Sequence, residues 1–198
     1  MVSSRLKKRF EGLVAGAVKP LVDAGVTPNA ITTLGLVVSL AAGLCYAFWK
    51  VSPLMLPAAG VLLLVSGLFD SIDGVIARTT GKVTVFGGFF DSVSDRYSDA
   101  AVISGVIIGG LCDPLWGLLA LSGSLLVSYA RARAESAGVM MTAVGLAERA
   151  ERMLLLALIT FAAAYWIDAL RYGIIILAVL AHLTVVQRVL YFKEKSAQ

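Results

Sequence analysis

Four aspartates lie in two pairs near the middle of the chain. Asp70 and Asp73 are three residues apart, and Asp91 and Asp95 are four residues apart. On helices, each spacing projects both carboxylates from one face. The short segment 79–84 between the two helices predicts that they are antiparallel neighbours, so that the two acidic faces meet at one end.

Four converging carboxylates would form a metal site made of hard oxygen ligands. Because segment 70–95 contains no Cys or His, these ligands suit Mg²⁺ or Mn²⁺, and their number allows two ions. A pair of such ions can bind a diphosphate and stabilise an in-line phosphoryl displacement. The aspartates therefore predict metal-dependent phosphoryl chemistry.

The segments around these aspartates are unusually apolar. Hydrophobic residues make up 59% of the 198 residues and charged residues 15%, and the mean hydropathy is +0.87. Soluble domains carry about a quarter charged residues, so the composition excludes a solvated globular enzyme and a nucleic-acid-binding chain. It predicts an all-α integral membrane protein with membrane lipids as partners and no nucleic acid.

Six apolar segments, bounded by charges and by Gly, Pro or Asn, predict six transmembrane helices. The predicted helices run from about Pro28 to Trp49, Pro53 to Arg78, Val83 to Leu111, Pro114 to Glu135, Glu148 to Ile167 and Leu170 to Phe192. Residues 4–24 combine basic residues with apolar positions at helical spacing, which predicts an amphipathic helix in the membrane interface. Residues 1–198 are thus expected to form one domain with its bundle at 28–192.

The basic residues predict how this bundle is oriented. Fourteen of the 17 Lys and Arg residues fall in the termini and connections on one side of the predicted membrane. By the positive-inside rule this side is cytoplasmic. We therefore expect a multi-pass protein of the cell membrane with both termini and the aspartates on the cytoplasmic side.

The aspartates also belong to a longer pattern, D-x2-D-G-x2-A-R-x8-G-x3-D-x3-D. It resembles the signature of the CDP-alcohol phosphotransferase family, also called the class I CDP-alcohol phosphatidyltransferases. The matching positions are Asp70, Asp73, Gly74, Ala77, Arg78, Gly87, Asp91 and Asp95. The resemblance implies a six-helix membrane enzyme, usually a homodimer, that transfers a substituted phosphate group from a CDP-linked donor and releases CMP.

The resemblance also implies a role for each matching residue. Asp70, Asp73 and Asp91 would hold the metal ions and the diphosphate of a CDP-linked lipid. Asp95 would be both a metal neighbour and the general base that takes the proton from the acceptor hydroxyl. The other motif positions implied to line the donor site are Gly74, Ala77, Arg78 and Gly87.

The segment 27–32 resembles the TPN-x-x-T stretch that opens the first helix in many members of the family. Asn29 and Thr32 are therefore assigned to the donor site. A turn with a helix N-cap is an equally good interpretation of this stretch.

A basic cluster follows the fourth predicted helix and points to the acceptor. Residues 128–135 and 148–152 resemble the SY-x-[KR]-ARAE and ER-x-ER stretches of the phosphatidylinositol phosphate and archaetidylinositol phosphate synthases. This branch implies that Arg131, Arg149 and Arg188 bind the phosphate of inositol 1-phosphate, since arginine can bind phosphate with two hydrogen bonds.

Two departures from that branch keep the acceptor open. Arg131 replaces a common lysine, and Gln187 occupies the last basic position in one alignment. Cytoplasmic loops are also basic in general. Glycerol 3-phosphate and serine therefore stay as alternative acceptors, and the donor lipid can be a diacyl or an archaeal ether lipid.

A divalent-cation transporter is the alternative from another class of protein, because intramembrane aspartates often mark ion pathways. It is disfavoured because the aspartates cluster at one membrane face. Asp99 and Arg96 are expected to form ion pairs. Cys45, Cys112 and His182 are interpreted as packing residues; their lone positions suggest no site.

Overall fold

The computed structural model describes residues 18–20, 22–142 and 144–196. Six α-helices are complete within these ranges, which contain no strand, so the all-α class is confirmed. The helices are α1 (Pro28–Ala47), α2 (Met55–Thr79), α3 (Val85–Ile108), α4 (Pro114–Ser136), α5 (Arg149–Ala163) and α6 (Asp168–Ser196), with a 3₁₀ turn at Trp49–Val51.

Four of these helices, α1, α2, α4 and α6, are long and apolar enough to cross a membrane. Helix α3 carries four charged residues in its first and middle turns, Asp91, Asp95, Arg96 and Asp99. Helix α5 has 15 residues, about 22 Å at 1.5 Å per residue, against a hydrocarbon core of about 30 Å. Its chain turns after Ala163, so this helix is shorter than predicted, and crossing by all six helices stays a prediction.

Most of the predicted amphipathic helix at residues 4–24 lies outside the described residues. Residues 18–20 and 22–23 are helical. Val18 is buried there in a small apolar cluster with Ile31, Val75 and Ile76. This contact ties the segment before α1 to the first two helices.

Side-chain caps explain where three of the helices begin. The Thr27 hydroxyl accepts a hydrogen bond from the Ala30 backbone N–H at the start of α1, which confirms the predicted N-cap. Thr84 caps α3 in the same way by accepting from the Gly87 N–H at 2.9 Å. At α4 the cap is Asp113, directly before a proline. Each cap satisfies a backbone donor that the helix itself leaves unpaired.

The six helices form a closed ring in space. Helix α1 packs against α2 and α3, α2 packs against α5, α5 against α6, α6 against α4, and α4 against α3. The predicted meeting of the two acidic faces is confirmed, since carboxylates of α2 and α3 come together at one end, although both helices pack mainly on α1 and have little packing with each other. A turn at Gly81, with φ of 65°, reverses the chain between them. Their aspartate-bearing ends therefore border an open cleft.

The two ends of the helix bundle differ in polarity. The main apolar cluster lies at the end farther from the α2–α3 connection, and it includes Tyr46, Leu63, Ile103, Leu156 and Ile174. At this end the Tyr46 hydroxyl lies 2.6 Å from the Thr160 hydroxyl, so these two buried polar groups form a hydrogen bond with each other. The aspartates lie at the other end, on helices that the apolar cluster packs together.

A close crossing of α1 and α3 depends on two glycines. A Cβ atom added at Gly43 would lie 2.6 Å from the Ala101 carbonyl oxygen, and one added at Gly105 would lie 2.8 Å from the Gly43 carbonyl carbon. Small residues allow helix backbones to approach this closely in membranes. The crossing fixes the angle at which α3 presents its aspartates.

Gly105→Ala is therefore expected to lower the free energy of unfolding by about 2 kcal/mol, because its methyl group would meet backbone that cannot move aside. Gly67→Ala is the matched control, since a Cβ there has nothing within 4 Å. Thermal unfolding of both variants in the same detergent checks the expectation. Equal midpoints for the two variants would contradict it.

Candidate active site

Carboxylates from α2 and α3 converge at the cleft between these helices. Asp70, Asp91 and Asp95 each offer one oxygen, and the three oxygens lie within 4.8 Å of one another. One turn of α3 separates its two aspartates, so both face Asp70 across the cleft. Three of the four aspartates predicted as metal ligands thus meet at one point.

The fourth predicted ligand, Asp73, is oriented slightly differently. It accepts a hydrogen bond of 2.6 Å from the hydroxyl of Thr32 on α1. It still lines the same small cavity as Asp70, Asp91 and Asp95. A threonine assigned to the donor site from sequence therefore positions one of the acidic residues.

The acidic cluster fits a divalent cation. Its ligands are carboxylate oxygens, the type that Mg²⁺ and Mn²⁺ prefer. Among the described residues, the buried Asp91 Oδ1 has no hydrogen-bond partner. A buried carboxylate oxygen without a partner carries a large desolvation cost that a bound cation would offset.

Arginines supply the positive charge that faces the cluster. Arg149, the first residue of α5, places its NH1 2.8 Å from Asp95 and 3.3 Å from Asp70. On the more exposed side, Arg96 lies 3.6 Å from Asp95. The expected ion pair of Arg96 is confirmed. Arg149 was assigned to the acceptor from sequence, and the structure brings it into direct contact with the aspartates.

Asp99 continues the acidic row one turn further and forms the expected arginine pairs. Its two oxygens face Arg149 Nε at 3.1 Å and Arg152 NH2 at 3.4 Å. The Asp99 and Arg152 side chains are 2% and 0% exposed. Arg152 also donates to the Ala147 carbonyl. Sequence reasoning did not assign Arg152 a role, although its i+3 spacing from Arg149 puts both on one face.

A cavity of about 310 Å³ opens beside the acidic cluster, at the α2–α3 connection. All of the residues assigned to the donor except Asp70 line it, namely Asn29, Thr32, Asp73, Gly74, Ala77, Arg78, Gly87 and Asp91. Asp73 and Asp91 also line the small cavity of the acidic cluster. The two spaces therefore share a wall, and a nucleotide in one would place its phosphates near the other.

The motif glycines keep this cavity open. A Cβ at Gly87 would lie 2.9 Å from the Thr84 hydroxyl and 3.3 Å from the Asn29 side-chain oxygen. A Cβ at Gly74 would lie 3.1 Å from Arg78 NH1. Glycine thus lets polar side chains approach the backbone closely.

The cavity also has lining residues that sequence reasoning missed. Lys82 and Thr84 both belong to the short α2–α3 connection. The position of Lys82 between two acidic pairs was the sequence signal that could have indicated a phosphate contact. The hydroxyl of Thr84 is held at the rim of the cavity because it caps the N-terminus of α3.

The other two arginines assigned to the acceptor lie outside the acidic cluster. Arg131 is partly exposed and pairs with Glu135 at 2.9 Å, one turn along α4. Arg188 is buried and donates to the carbonyls of Val144 and Val127, at 2.9 and 2.6 Å. The three arginines do not meet in one contact.

Arg188 and its neighbour Gln187 instead hold the segment that leads into α5. Arg188 NH2 lies 3.6 Å from Glu148, the residue before Arg149. The Gln187 side-chain oxygen accepts from the Leu146 N–H at 3.0 Å. Arg188 therefore contributes to the position of Arg149 through backbone contacts.

His182, Cys45 and Cys112, which the sequence suggested as packing residues, lie away from the acidic cluster. His182 is hydrogen-bonded to the Leu119 carbonyl at 3.2 Å. Cys45 and Cys112 are free thiols. Burial raises the pKa of Cys112, in the connection before α4, to about 11, so this thiol stays protonated at neutral pH.

Comparison with known proteins finds relatives and solved structures that match about nine tenths of the chain. The archaetidylinositol phosphate synthase of Pyrococcus horikoshii is 40% identical over 177 residues, 89% of each chain. The phosphatidylinositol phosphate synthase of Mycobacterium tuberculosis, solved with manganese and citrate, superposes with a TM-score of 0.78 at 30% identity, covering 91% of this chain and 88% of that one.

The same mycobacterial enzyme with CDP-DAG bound also superposes with a TM-score of 0.78 at 30% identity, covering 90% of this chain and 92% of that one. A family model described as CDP-alcohol phosphatidyltransferase matches residues 25–186. That range includes the acidic cluster, the cavity beside it, Arg131 and Arg149, and it ends two residues before Arg188. The chain belongs to the CDP-alcohol phosphatidyltransferase family.

Proposed function

We propose that this protein transfers a phosphatidyl-type group from a CDP-linked lipid to a hydroxyl of inositol 1-phosphate and releases CMP. The observation that carries the proposal is the shared wall of the donor cavity and the acidic cluster, at Asp73 and Asp91. This arrangement allows a cytidine diphosphate to lie in the cavity with its phosphates at the carboxylates. The similarity to an archaetidylinositol phosphate synthase and to a phosphatidylinositol phosphate synthase supports inositol phosphate as the acceptor.

A second cavity suits the lipid part of the donor. It has a volume of about 460 Å³ and lies between α2 and α5, with Leu63, Leu64, Met153 and Leu154 in its wall. Asp70 reaches both this cavity and that of the acidic cluster. A lipid could thus keep its chains against apolar side chains while its diphosphate meets the aspartates.

The carboxylates of Asp70, Asp73, Asp91 and Asp95 are proposed to hold two divalent cations, Mg²⁺ or Mn²⁺. Bound there, the cations would neutralise charge on the diphosphate and on the departing CMP. Thr32 orients Asp73 through its 2.6 Å hydrogen bond. The chain's own contribution is therefore a set of carboxylate ligands in the small cavity that borders the donor cavity.

Asp95 is proposed as the general base. It takes the proton of the acceptor hydroxyl, whose oxygen forms a bond to the phosphorus that carries the lipid. The bond from that phosphorus to the bridging oxygen breaks, and CMP leaves with this oxygen and its electron pair. To act as the nucleophile, the acceptor hydroxyl needs only to be positioned next to the phosphorus and to have one base that takes its proton.

The acceptor phosphate is proposed to bind Arg131, Arg149 and Arg188. Of these, Arg131 has a long exposed side chain whose partner, Glu135, is only one turn away on the same helix. Such a surface pair is weak, so an incoming phosphate can replace Glu135. Arg188, with two buried carbonyl partners, contributes chiefly by holding the segment before α5.

Arg131→Gln is expected to raise the KM for inositol 1-phosphate about tenfold, since one charge-assisted phosphate contact is lost. The KM for the CDP-lipid and the unfolding midpoint should stay near the wild-type values. Arg188→Gln is the comparison, because it would lower the midpoint through its lost carbonyl contacts. An unchanged acceptor KM in Arg131→Gln would remove this residue from the acceptor site.

We also propose that all six helices form one membrane domain, preceded by the interfacial helix at residues 4–24, and that two copies form a homodimer. Both termini and the acidic cluster would face the cytoplasm. The charge distribution supports this orientation. Labelling of single cysteines introduced at residues 81 and 168 tests it, because these residues lie at opposite ends of the bundle.

Metal-dependent release of CMP tests the proposed reaction. Purified protein is given CDP-diacylglycerol or CDP-archaeol, Mg²⁺ or Mn²⁺, and in turn inositol 1-phosphate, glycerol 3-phosphate and serine. Release that requires inositol 1-phosphate and a divalent cation is the expected result. Release with glycerol 3-phosphate or serine alone would contradict the acceptor assignment, and no release with any acceptor would contradict the reaction.

A further inference from the structure

Arg149 contacts two of the carboxylates that a cation in the acidic cluster would use. Its NH1 contacts Asp95 Oδ1 at 2.8 Å and Asp70 Oδ2 at 3.3 Å. Asp70 and Asp95 are two of the three residues whose oxygens converge. A guanidinium nitrogen is thus already bound to two of the carboxylates expected to hold a divalent cation.

The other end of the same guanidinium is anchored elsewhere. Arg149 Nε donates to Asp99 Oδ1 at 3.1 Å. The second oxygen of Asp99 faces Arg152, which is fully buried and also bonded to the Ala147 carbonyl. Asp99 is not among the three converging carboxylates. Nε of Arg149 is therefore held by the buried Asp99–Arg152 pair, while its NH1 contacts the acidic cluster.

We propose that Arg149 is a resident counter-cation of Asp70 and Asp95, that it would leave these carboxylates if a divalent cation bound them, and that its freed NH1 would then contact the acceptor's phosphate. The proposal rests on the proposed function for the metal and the acceptor. Asp99 keeps Nε during the exchange and acts as a positioning residue.

Electrostatics explain why the two events are linked. Two cations that share the same two carboxylates repel each other strongly in a partly buried site. Once released, Arg149 would share the single carboxylate of Asp99 with the buried Arg152, and the excess positive charge is costly at such a site unless another anion binds. Metal binding and phosphate binding should therefore strengthen each other, as reciprocal linkage requires.

Mn²⁺ binding to the whole protein, without lipid or acceptor, tests the exchange. Electron paramagnetic resonance of free Mn²⁺ gives the affinity directly. Arg149→Gln is expected to bind Mn²⁺ about tenfold more tightly than the wild type, within the usual range of coupling between sites. Arg96→Gln is the matched control, since it removes the same charge from a partner of Asp95 at 3.6 Å without freeing Asp70.

If Arg149 and the metal compete for the same carboxylates, Arg149→Gln should raise the Mn²⁺ affinity about tenfold. Arg96→Gln should raise the Mn²⁺ affinity less than about threefold. Equal changes in the two variants would mean that only overall charge matters, and would overturn the proposal. If wild-type protein binds no Mn²⁺, the proposed metal function fails, and the inference fails with it. Mn²⁺ binding that is insensitive to Arg149 would overturn the inference alone.

A second variant and a second ligand complete the test. Arg149→Lys keeps the charge but cannot reach Asp99 and the acidic cluster together, so its Mn²⁺ affinity should fall between those of wild type and Arg149→Gln. If Arg149→Gln fails to fold, this variant carries the metal test. In wild-type protein, saturating inositol 1-phosphate should tighten Mn²⁺ binding at least fivefold, and both variants should lose this gain. A gain retained in both would overturn the proposal.

Discussion

Asp95→Asn is expected to lower kcat for CMP release by about 10³-fold, within the range that a general base contributes. An amide cannot take the proton of the acceptor hydroxyl. At saturating Mg²⁺ the KM for the CDP-lipid should change much less than kcat, because Asp95 does not line the donor cavity and saturating Mg²⁺ compensates for the loss of one of the four proposed metal ligands. Steady-state CMP release at saturating Mg²⁺ measures both constants.

One control variant separates loss of the base from loss of structure. Asp113→Asn makes the same chemical change at the far end of the bundle, where Asp113 caps α4. Asparagine is an equally good N-cap, so activity and stability should both be retained. An Asp95→Asn enzyme with kcat within tenfold of the wild-type value would contradict the assignment of the base.

Asp91→Asn is expected to weaken Mn²⁺ binding by about a hundredfold, because it removes one of the three converging carboxylates, and metal stabilisation of this kind is worth several kcal/mol. Activity should fall below detection at millimolar Mg²⁺. Isothermal titration of the variant with Mn²⁺ measures the affinity. An unchanged dissociation constant would exclude Asp91 as a ligand.

The same variant should be more stable than the wild type in metal-free buffer. Asp91 Oδ1 is buried without a hydrogen-bond partner, and a neutral amide avoids the cost of that charge. Asp73→Asn is the comparison, because Asp73 already accepts a hydrogen bond from Thr32 and has less to gain. A higher unfolding midpoint with weaker metal binding is typical of a site kept for function at a cost in stability.

Local signals were sufficient to predict the helices and much of the donor cavity. Thr27 and Pro28 predicted the start of α1, and the motif around Gly74 and Gly87 predicted most of the residues that line the cavity. These features depend on neighbouring residues or on a short motif. They can therefore be predicted without knowing how distant helices pack.

Contacts between distant helices were harder to predict. The close packing of α1 on α3 depends on the crossing of Gly43 and Gly105, which are 62 positions apart in the chain. Arg149 reaches Asp70 across 79 positions, so its spacing in the ER-x-ER stretch did not reveal its place in the acidic cluster. The residues around Arg188 form an ordinary apolar helix and gave no sign that its side chain is buried. In the structure it donates hydrogen bonds to two backbone carbonyls from distant parts of the chain.

The most direct test of the central claim follows the two phosphorus atoms of the donor. A CDP-lipid labelled with ³³P next to cytidine and ³²P next to the lipid is incubated with the protein, Mg²⁺ and inositol 1-phosphate. We predict ³³P in CMP and ³²P in a lipid phosphodiester that also carries the inositol phosphate, both requiring metal and acceptor. Recovery of ³²P only in the donor, or in a lipid phosphate formed without inositol 1-phosphate, would contradict the account.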